Sequence, residues 1–588
     1  MIMLSDTKAV KAALCNQPQA HSSRYASCMA LVCMVGALNA QAADLPQGGT
    51  VIQGQVSSSR PEANALTLRQ TTQTAVIEWK SFGIAEDHIV DVRQPFHDSV
   101  LLNRVMGDEI SIIAGMLRAP GSVLLVNPNG VHITPTGRVT TGGFLASSLD
   151  IDNDDVYLTA AALHHKVDGK MHSMRVAHRG AVSALGGVLN EGLIQIADAG
   201  YVSLAGPRAV HDGVITSRGG HLAIAGPAYL RVEGRIDLDR RPVTMVSPMS
   251  AANTSDSVSA TSPISPLSPL SPLSPMSPMS PGVNRYDAGA SRAPSEDASS
   301  LSQPGSLRLL GSRIDIHSDN LPDGAPADLS SFVHAETLAG ALRDAHVVIR
   351  SVGTWPSREA DNGAVPETLT VSTSFPTDPK ELAVALKSSG WRAGDIHITS
   401  PVAWSADTSL KLASTGSIRI DARVTASGND PSVSLYPGVD HDITFTGGRL
   451  AMCGDSARLA VGGHPYTLIR NAVELRQAIE QGGAQNYAIT QNLDLRGIPM
   501  APITLPASPR AYCINGLGNS VKGLAIESTE TGGVGLFSAL DGQSTVSHLH
   551  LIDPDIRGVG ETGAFAGVMR DQSRLIGVSV KGGNIRSV

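Results

Sequence analysis

Between Ala43 and about Arg241, the apolar and polar pattern is strand-like nearly everywhere, in short pieces such as "TAVIEW", "HIVDV", "SVLLV", "VHIT", "YVSLAG" and "HLAIAG", divided by Gly, Asn, Asp and Pro. A period of two bounded by turn residues predicts half-buried strands. The strands follow one another too closely for intervening helices, so a βαβ architecture is disfavoured and a sandwich, a barrel or a solenoid remains.

Several stretches are variations on one unit: "GGVLNEGLIQIADAGYVSLAG", "RGGHLAIAGPAYLRVEGRIDL" and "AGDIHITSPVAWSADTSLKLASTGSIRIDARVTASG". Each puts turns and short strands into a length typical of one solenoid coil. One coil cannot bury its inward Val, Ile and Leu, but stacked coils can, and they pair each other's backbone groups. The expected fold is all-β, a right-handed parallel β-helix with small extra-helical strands and a few short helices. Helices are predicted at Ala335 to Ala345, at Asp378 to Gly390, and at Asn471 to Gly483, the last with an Asn cap, Glu three residues on and a Gly stop.

Composition divides the chain. "SPISPLSPLSPLSPMSPMSP" (Ser262 to Pro281) places Pro at every third position, which removes donors and fixes φ, so it is a polyproline-like spacer. Near the C-terminus, "GLFSALDGQSTVSHLHLIDPDI" (Gly535 to Ile556) and "GAFAGVMRDQSRLIGVSVKGGNI" (Gly563 to Ile585) form a second repeat that stops without a capping unit, so either a fragment or a truncated reading frame of a longer protein is expected. The predicted organisation is a signal peptide over 1–42, a β-helix over 43–241, a Ser/Pro-rich linker over 242–304, a solenoid continuation over 305–450, a mixed segment with one helix over 451–511, and a repeat segment over 512–588.

The N-terminus carries a basic leader, the apolar run "MALVCMVGAL" and the Ala40-Gln41-Ala42 pattern of signal cleavage, which places the cut between Ala42 and Ala43. The apolar run is too short to span a bilayer, which takes about 20 residues. A net charge of −8 with no basic stripe argues against a nucleic-acid partner. Of five cysteines, three precede the cleavage point. The remaining Cys453 and Cys513 could pair in an oxidising compartment or stay as two unpaired thiols on strands.

Candidate chemistry is sparse. "LDIDNDDVYL" from Leu149 lacks the Gly and Glu of an EF-hand and reads as a solvated turn. His164, His165, His172, His178, His548 and His550 lack partners at ligand spacings, so no metal or other cofactor is expected. Asp91, Asp150, Asp152, Asp154 and Asp155 follow turns and not a single inward ladder, which disfavours a β-helical carbohydrate enzyme. The chain is read as non-enzymatic.

The stretch from Ala43 to about Ile151 closely resembles the N-terminal secretion domain of two-partner-secretion exoproteins, the filamentous haemagglutinin and high-molecular-weight adhesin family. The resemblance rests on Trp79, Ser81-Phe82, Gln94-Pro95, Leu102-Asn103-Arg104-Val105, Gly107, Ser111-Ile112, Gly115, Leu117, Gly121, Asn127-Pro128-Asn129-Gly130-Val131, Gly142-Gly143 and Ala146-Ser147-Ser148 in order. The Asn-Pro-Asn-Leu motif of some members has no counterpart. The segment from Tyr512 to Ile585 resembles the Gly-Leu-Phe (GLUG-like) repeats of bacterial surface proteins and peptidases.

The first resemblance implies a secretion domain recognised in the periplasm by a cognate outer-membrane β-barrel transporter with POTRA modules. It also implies a secreted or surface-associated product that meets a receptor on a host or neighbouring cell. An adhesin or haemagglutinin is expected; the secretion portion of a haemolysin or contact-dependent inhibition toxin is the alternative. Two readings stay open for Asn103, Arg104, Val105, Asn127, Pro128, Asn129 and Gly130: transporter recognition, or coil corners. Asn127 to Gly130 suits a tight turn with positive φ at its end. Asn103 is expected to end a coil, with Arg104 at the surface.

Overall fold

The computed structural model describes residues 45–150, 186–238, 304–318, 331–352, 394–481, 484–506 and 511–587. The Ala42–Ala43 cleavage point, nearly all of the 242–304 linker, the helix expected at Asp378, Asp152 to Asp155, and His164, His165, His172 and His178 lie outside these residues.

Parallel strands stack into a β-helix with three faces. The first face runs from Thr74–Trp79 through Val100–Val105, Ser122–Val126 and Gly143–Ser147 up to Arg458–Val461. The second runs from Ser111–Ile113 to Ile443–Phe445, and the third begins with Ala65–Gln70. In-register stacking aligns inward side chains in columns. On the second face Val131, Val188 and Ala209 form one column and Ile133, Asn190 and His211 another. Alternation in sequence thus becomes one continuous apolar core, whose members run from Leu45 to Leu517.

Two strands, Thr50–Gln53 and Val56–Glu62, run antiparallel to Thr74–Trp79 and Ala65–Gln70 and close the N-terminal end. The closing strand Val56–Glu62 carries Arg60, Pro61 and Glu62 on its exposed edge, a composition that resists further pairing.

The third face is interrupted. Its strands stack up to Arg235–Asp237 and resume with Val402–Trp404. Helix α1 (Ala335–Asp344) fills the gap, packing against both strands with Ala335, Leu338, Ala341 and Leu342 buried. This helix is therefore part of the wall. Thr337 Oγ1 donates to the carbonyls of Glu233 and Gly234, both at 3.1 Å, and so fastens its first turn to the coil below.

Strand order on the second face breaks once. Ser331–His334 lies between Tyr229–Val232 and Ile314–His317, although it follows both in sequence.

A second solenoid begins with His464–Ile469 and Asn486–Ile489 and has its own core of Leu475, Tyr487, Ile514, Val546, Leu551 and neighbours. Cys513–Asn515, Thr545–Ser547 and Arg574–Ile576 stack in parallel, as do Ser520–Lys522, His550–Ile552 and Ser579–Lys581, and Ala525–Ser528, Asp555–Gly558 and Asn584–Ser587. The repeat seen at Gly535 and Gly563 is one coil of this stack, with Phe537–Leu540 beside Ala566–Met569. Helix α2 (Ala472–Gln481) starts as expected: Asn471 Oδ1 accepts from the Val473 and Glu474 amides at 3.0 and 2.9 Å, while Glu474 reaches back to the Arg470 amide at 2.7 Å.

Candidate functional site

The residues singled out in sequence fall on the first two faces and the corner between them. Asn127 ends the strand Ser122–Val126 and is fully buried, while Pro128 is exposed. Asn127 Oδ1 accepts from the Asn129 amide at 2.9 Å, the Gly130 amide donates to the Asn127 carbonyl at 2.9 Å, and Gly130 takes φ +119°. This is the tight turn that Asn, Pro and Gly predict.

The Asn127 side chain also works downward. Its Nδ2 donates to the Glu109 carbonyl at 2.8 Å and to Ser111 Oγ at 3.0 Å, and Asn129 Nδ2 donates to the Gly107 carbonyl at 2.7 Å. Two amides therefore rivet one corner to the loop Gly107–Ser111 of the coil beneath. No room remains for a side chain at Gly107, where a Cβ would lie 2.2 Å from the Lys80 carbonyl.

Asn103 corrects the expectation. It sits inside the strand Val100–Val105 and not at a coil end, stacked between Ile77 and Leu125 in an inward column. Only 1% exposed, its Oδ1 accepts from Trp79 Nε1 at 3.0 Å and its Nδ2 donates to the Leu124 carbonyl at 3.4 Å. The physical reason is the indole N–H: a buried Trp79 needs an acceptor, and Asn one coil above supplies it.

Arg104 is likewise not a free surface cation. It points outward but is covered, with Nε at 2.8 Å from Asp150 Oδ1 and a second nitrogen 3.5 Å from Glu78 Oε1. Around it the outer side of the first face is apolar and buried, with Val76, Val100, Leu102, Leu124, Val126, Leu145 and Leu149 in one cluster. Val105 is inward and buried.

At the opposite corner Gln94, which entered the sequence reading only through the resemblance, meets Gln70, which was not singled out. Gln70 Nε2 donates to the carbonyls of Thr72, Gln73 and Val100, and Gln94 bridges Gln70 Oε1, the Gly121 amide and the Ser122 carbonyl. Their recurrence just after the third-face strands Ala65–Gln70 and Ile89–Arg93 was the available signal. A second pair, Asn190 and His211, lies in an inward column of the second face with Asn190 Nδ2 and His211 Nδ1 3.1 Å apart. Burial pushes the His211 imidazole down to about 4.

Outside, His397 lies 2.6 Å from Asp421 and 3.5 Å from Asp315, and the hydrogen bonds its ring donates to Asp315 and Asp421 raise its pKa. Among the described residues no group of three His, Cys, Asp or Glu side chains is placed to hold a metal ion. The pairing entertained for the two cysteines is not formed: both are free. Cys453 is exposed at a coil corner. Cys513 starts a strand of the second solenoid, where its Sγ meets Tyr466 Oη at 3.1 Å, and burial raises its thiol pKa.

The stretch that carries this network coincides with a known family. Residues 42–239 match the TPS secretion domain. That match supports an exoprotein of the two-partner-secretion kind. Two curated relatives align with part of the chain: a Heme/hemopexin-binding protein of Haemophilus influenzae (strain ATCC 51907 / DSM 11121 / KW20 / Rd) is 35% identical over 189 residues, 32% of this chain and 20% of the relative. Another Haemophilus influenzae protein of that description is 38% identical over 117 residues, 20% of this chain and 13% of the relative. The chain thus spans only a fifth or less of the curated relatives it matches. Among solved structures, the HMW1 secretion domain from Haemophilus influenzae overlaps 91% of this chain and 99% of its own at 12% identity and a TM-score of 0.32. A filamentous hemagglutinin secretion domain overlaps 71% and 98% at 9% identity and 0.26. These last two likenesses are too loose to guide comparison of individual residues.

Proposed function

We propose that the chain is a secreted exoprotein, exported across the outer membrane by a dedicated β-barrel partner that recognises the secretion-domain stretch, and that outside the cell it acts without catalysis as a surface adhesin. The observation carrying this reading is the match of residues 42–239 to the TPS secretion domain. The architecture supports it in physical terms. A solenoid assembles coil on coil, so a chain emerging from a pore can fold progressively, each new coil burying apolar columns on the one before. The POTRA modules of the partner, a receptor on a host or neighbouring cell, and a Gly-Leu-Phe repeat role for the second solenoid belong to the same proposal.

The binding named in the descriptions of the two Haemophilus relatives gains no support here, because the alignment falls on a small part of each relative. The test is to express the chain with and without its cognate transporter and to follow it in the medium. Transporter-dependent appearance is expected; equal amounts in both would overturn the export reading. Adhesion is tested separately by binding of the purified protein to cells, and a polysaccharide-cleavage assay tests the absence of catalysis.

A further inference from the structure

A parallel β-helix must end each of its sheets, and an unfinished sheet leaves a row of backbone groups without partners. On the third face the last strand is Arg449–Met452, which pairs on one side with Arg423–Ala426. In a parallel ladder alternate residues point their N–H and C=O to opposite neighbours, so Leu450 and Met452 carry the groups of the free side.

All four of those groups are taken by the second solenoid. The Leu450 amide donates to the Leu517 carbonyl at 3.0 Å and the Met452 amide to the Thr490 carbonyl at 3.1 Å. The Leu450 carbonyl accepts from Asn519 Nδ2 at 2.8 Å, and the Met452 carbonyl accepts from Thr490 Oγ1 at 3.1 Å. No strand of the second solenoid lies alongside; two side chains and two carbonyls from separate coils do the pairing.

The apolar stack is closed in the same place. Leu517 is fully buried and belongs to the core of the first solenoid, not to that of its own unit. It holds φ +52° with its amide donating to Asn515 Oδ1 at 2.8 Å. Gly518, at φ +76°, passes so close that a Cβ would lie 2.3 Å from the Gly448 carbonyl. Asn519 Nδ2 also donates to the Ile489 carbonyl at 3.0 Å, so one amide ties the edge strand to two coils of the second solenoid.

We infer that the second solenoid is the terminal cap of the first, with Asn515–Asn519 as a plug and Thr490 as its second anchor. The two units then unfold as a coupled pair, joined on the first face by the antiparallel strands Arg458–Val461 and His464–Ile469 and on the third face by the plug.

The experiment is hydrogen exchange on the full chain, read on the segment 449–453 and on the segment 545–558 within the second solenoid. Thr490→Val with Asn519→Ala removes two side-chain hydrogen bonds to the edge while leaving Leu517 in place; Gly518→Val forces the plug away from Gly448. Either is expected to accelerate exchange of 449–453 by about tenfold or more, the effect of losing one or two such bonds, with 545–558 unchanged. Unchanged exchange at 449–453 in both variants would overturn the inference. So would equal acceleration of the two segments, because the residues would then hold the second solenoid together and not the junction.

Discussion

At the scale of residues, the corner Asn127–Gly130 separates two roles that sequence alone leaves joined. Asn127 is buried and bonds four ways, whereas Pro128 is exposed and makes no part of that network. Asn127→Ala should therefore lower the urea-denaturation midpoint, with a cost of about 1–3 kcal/mol from unsatisfied buried groups, and export should fall with it. Pro128→Ala should leave stability near wild type. Loss of export in that variant at normal stability would point to direct recognition of the corner by the transporter; normal export would leave the turn as architecture. His211 offers a prediction in pH. Its folded pKa lies near 4 against an ordinary 6.5, so above 6.5 it is neutral folded or unfolded and contributes no slope. Below that, the unfolded chain takes up a proton that the folded one refuses, and stability declines by up to about 1.4 kcal/mol per pH unit until pH nears 4. His397 has the opposite sign: its pKa is raised, so its contribution is present in acid and fades as pH rises through the folded value. Denaturation midpoints at pH 7.5, 6 and 5 should fall less steeply for His211→Gln than for wild type, and identical slopes would refute the assignment.

At the scale of elements, legibility followed periodicity. Strands such as Ile89–Arg93 and His221–Gly226 alternate within a few residues and could be read directly, as could both helices that fall on described residues, one with its Asn471 cap. What could not be read was which way a polar residue in a strand faces. Asn103 and His211 occupy inward positions of otherwise apolar columns, and only the coil above or below, about twenty residues away in a typical solenoid repeat, supplies the partner that makes this tolerable. A separation of 46 residues hid the bond from Arg104 to Asp150. Nor does a helical pattern at Ala335 reveal that the helix replaces a strand. Because α1 buries Leu338 and Leu342 where a strand would stand, Leu338→Ala should cost about 2–5 kcal/mol, more than is usual for a surface helix. Thermal unfolding by circular dichroism checks this, and a shift within experimental scatter would mean that α1 is merely laid on the wall.

At the scale of the whole molecule, the two ends of the first solenoid are closed in different ways. The N-terminal end is closed by antiparallel strands with Pro61 on the edge, while the far end of the first solenoid is closed by another part of the chain. The free thiols give a simple probe of this arrangement. A maleimide should label exposed Cys453 quickly under native conditions and Cys513 slowly, since burial raises the pKa of that thiol and outweighs the opposing hydrogen bond with Tyr466. Mass spectrometry locates the label; fast labelling of both would show the second solenoid to be open at Tyr466.

The strand Ser331–His334 sets a constraint on time. A solenoid that grows strictly in chain order needs only its latest coil as a template, but here Ile314–His317 arrives before the neighbour on which it finally rests. Its ladder on that side is completed only once Ser331–His334 stands between it and Tyr229–Val232. Growth of the β-helix is thus a zipper with one deferred tooth, and folding should pause there even when every other coil closes as soon as it is available.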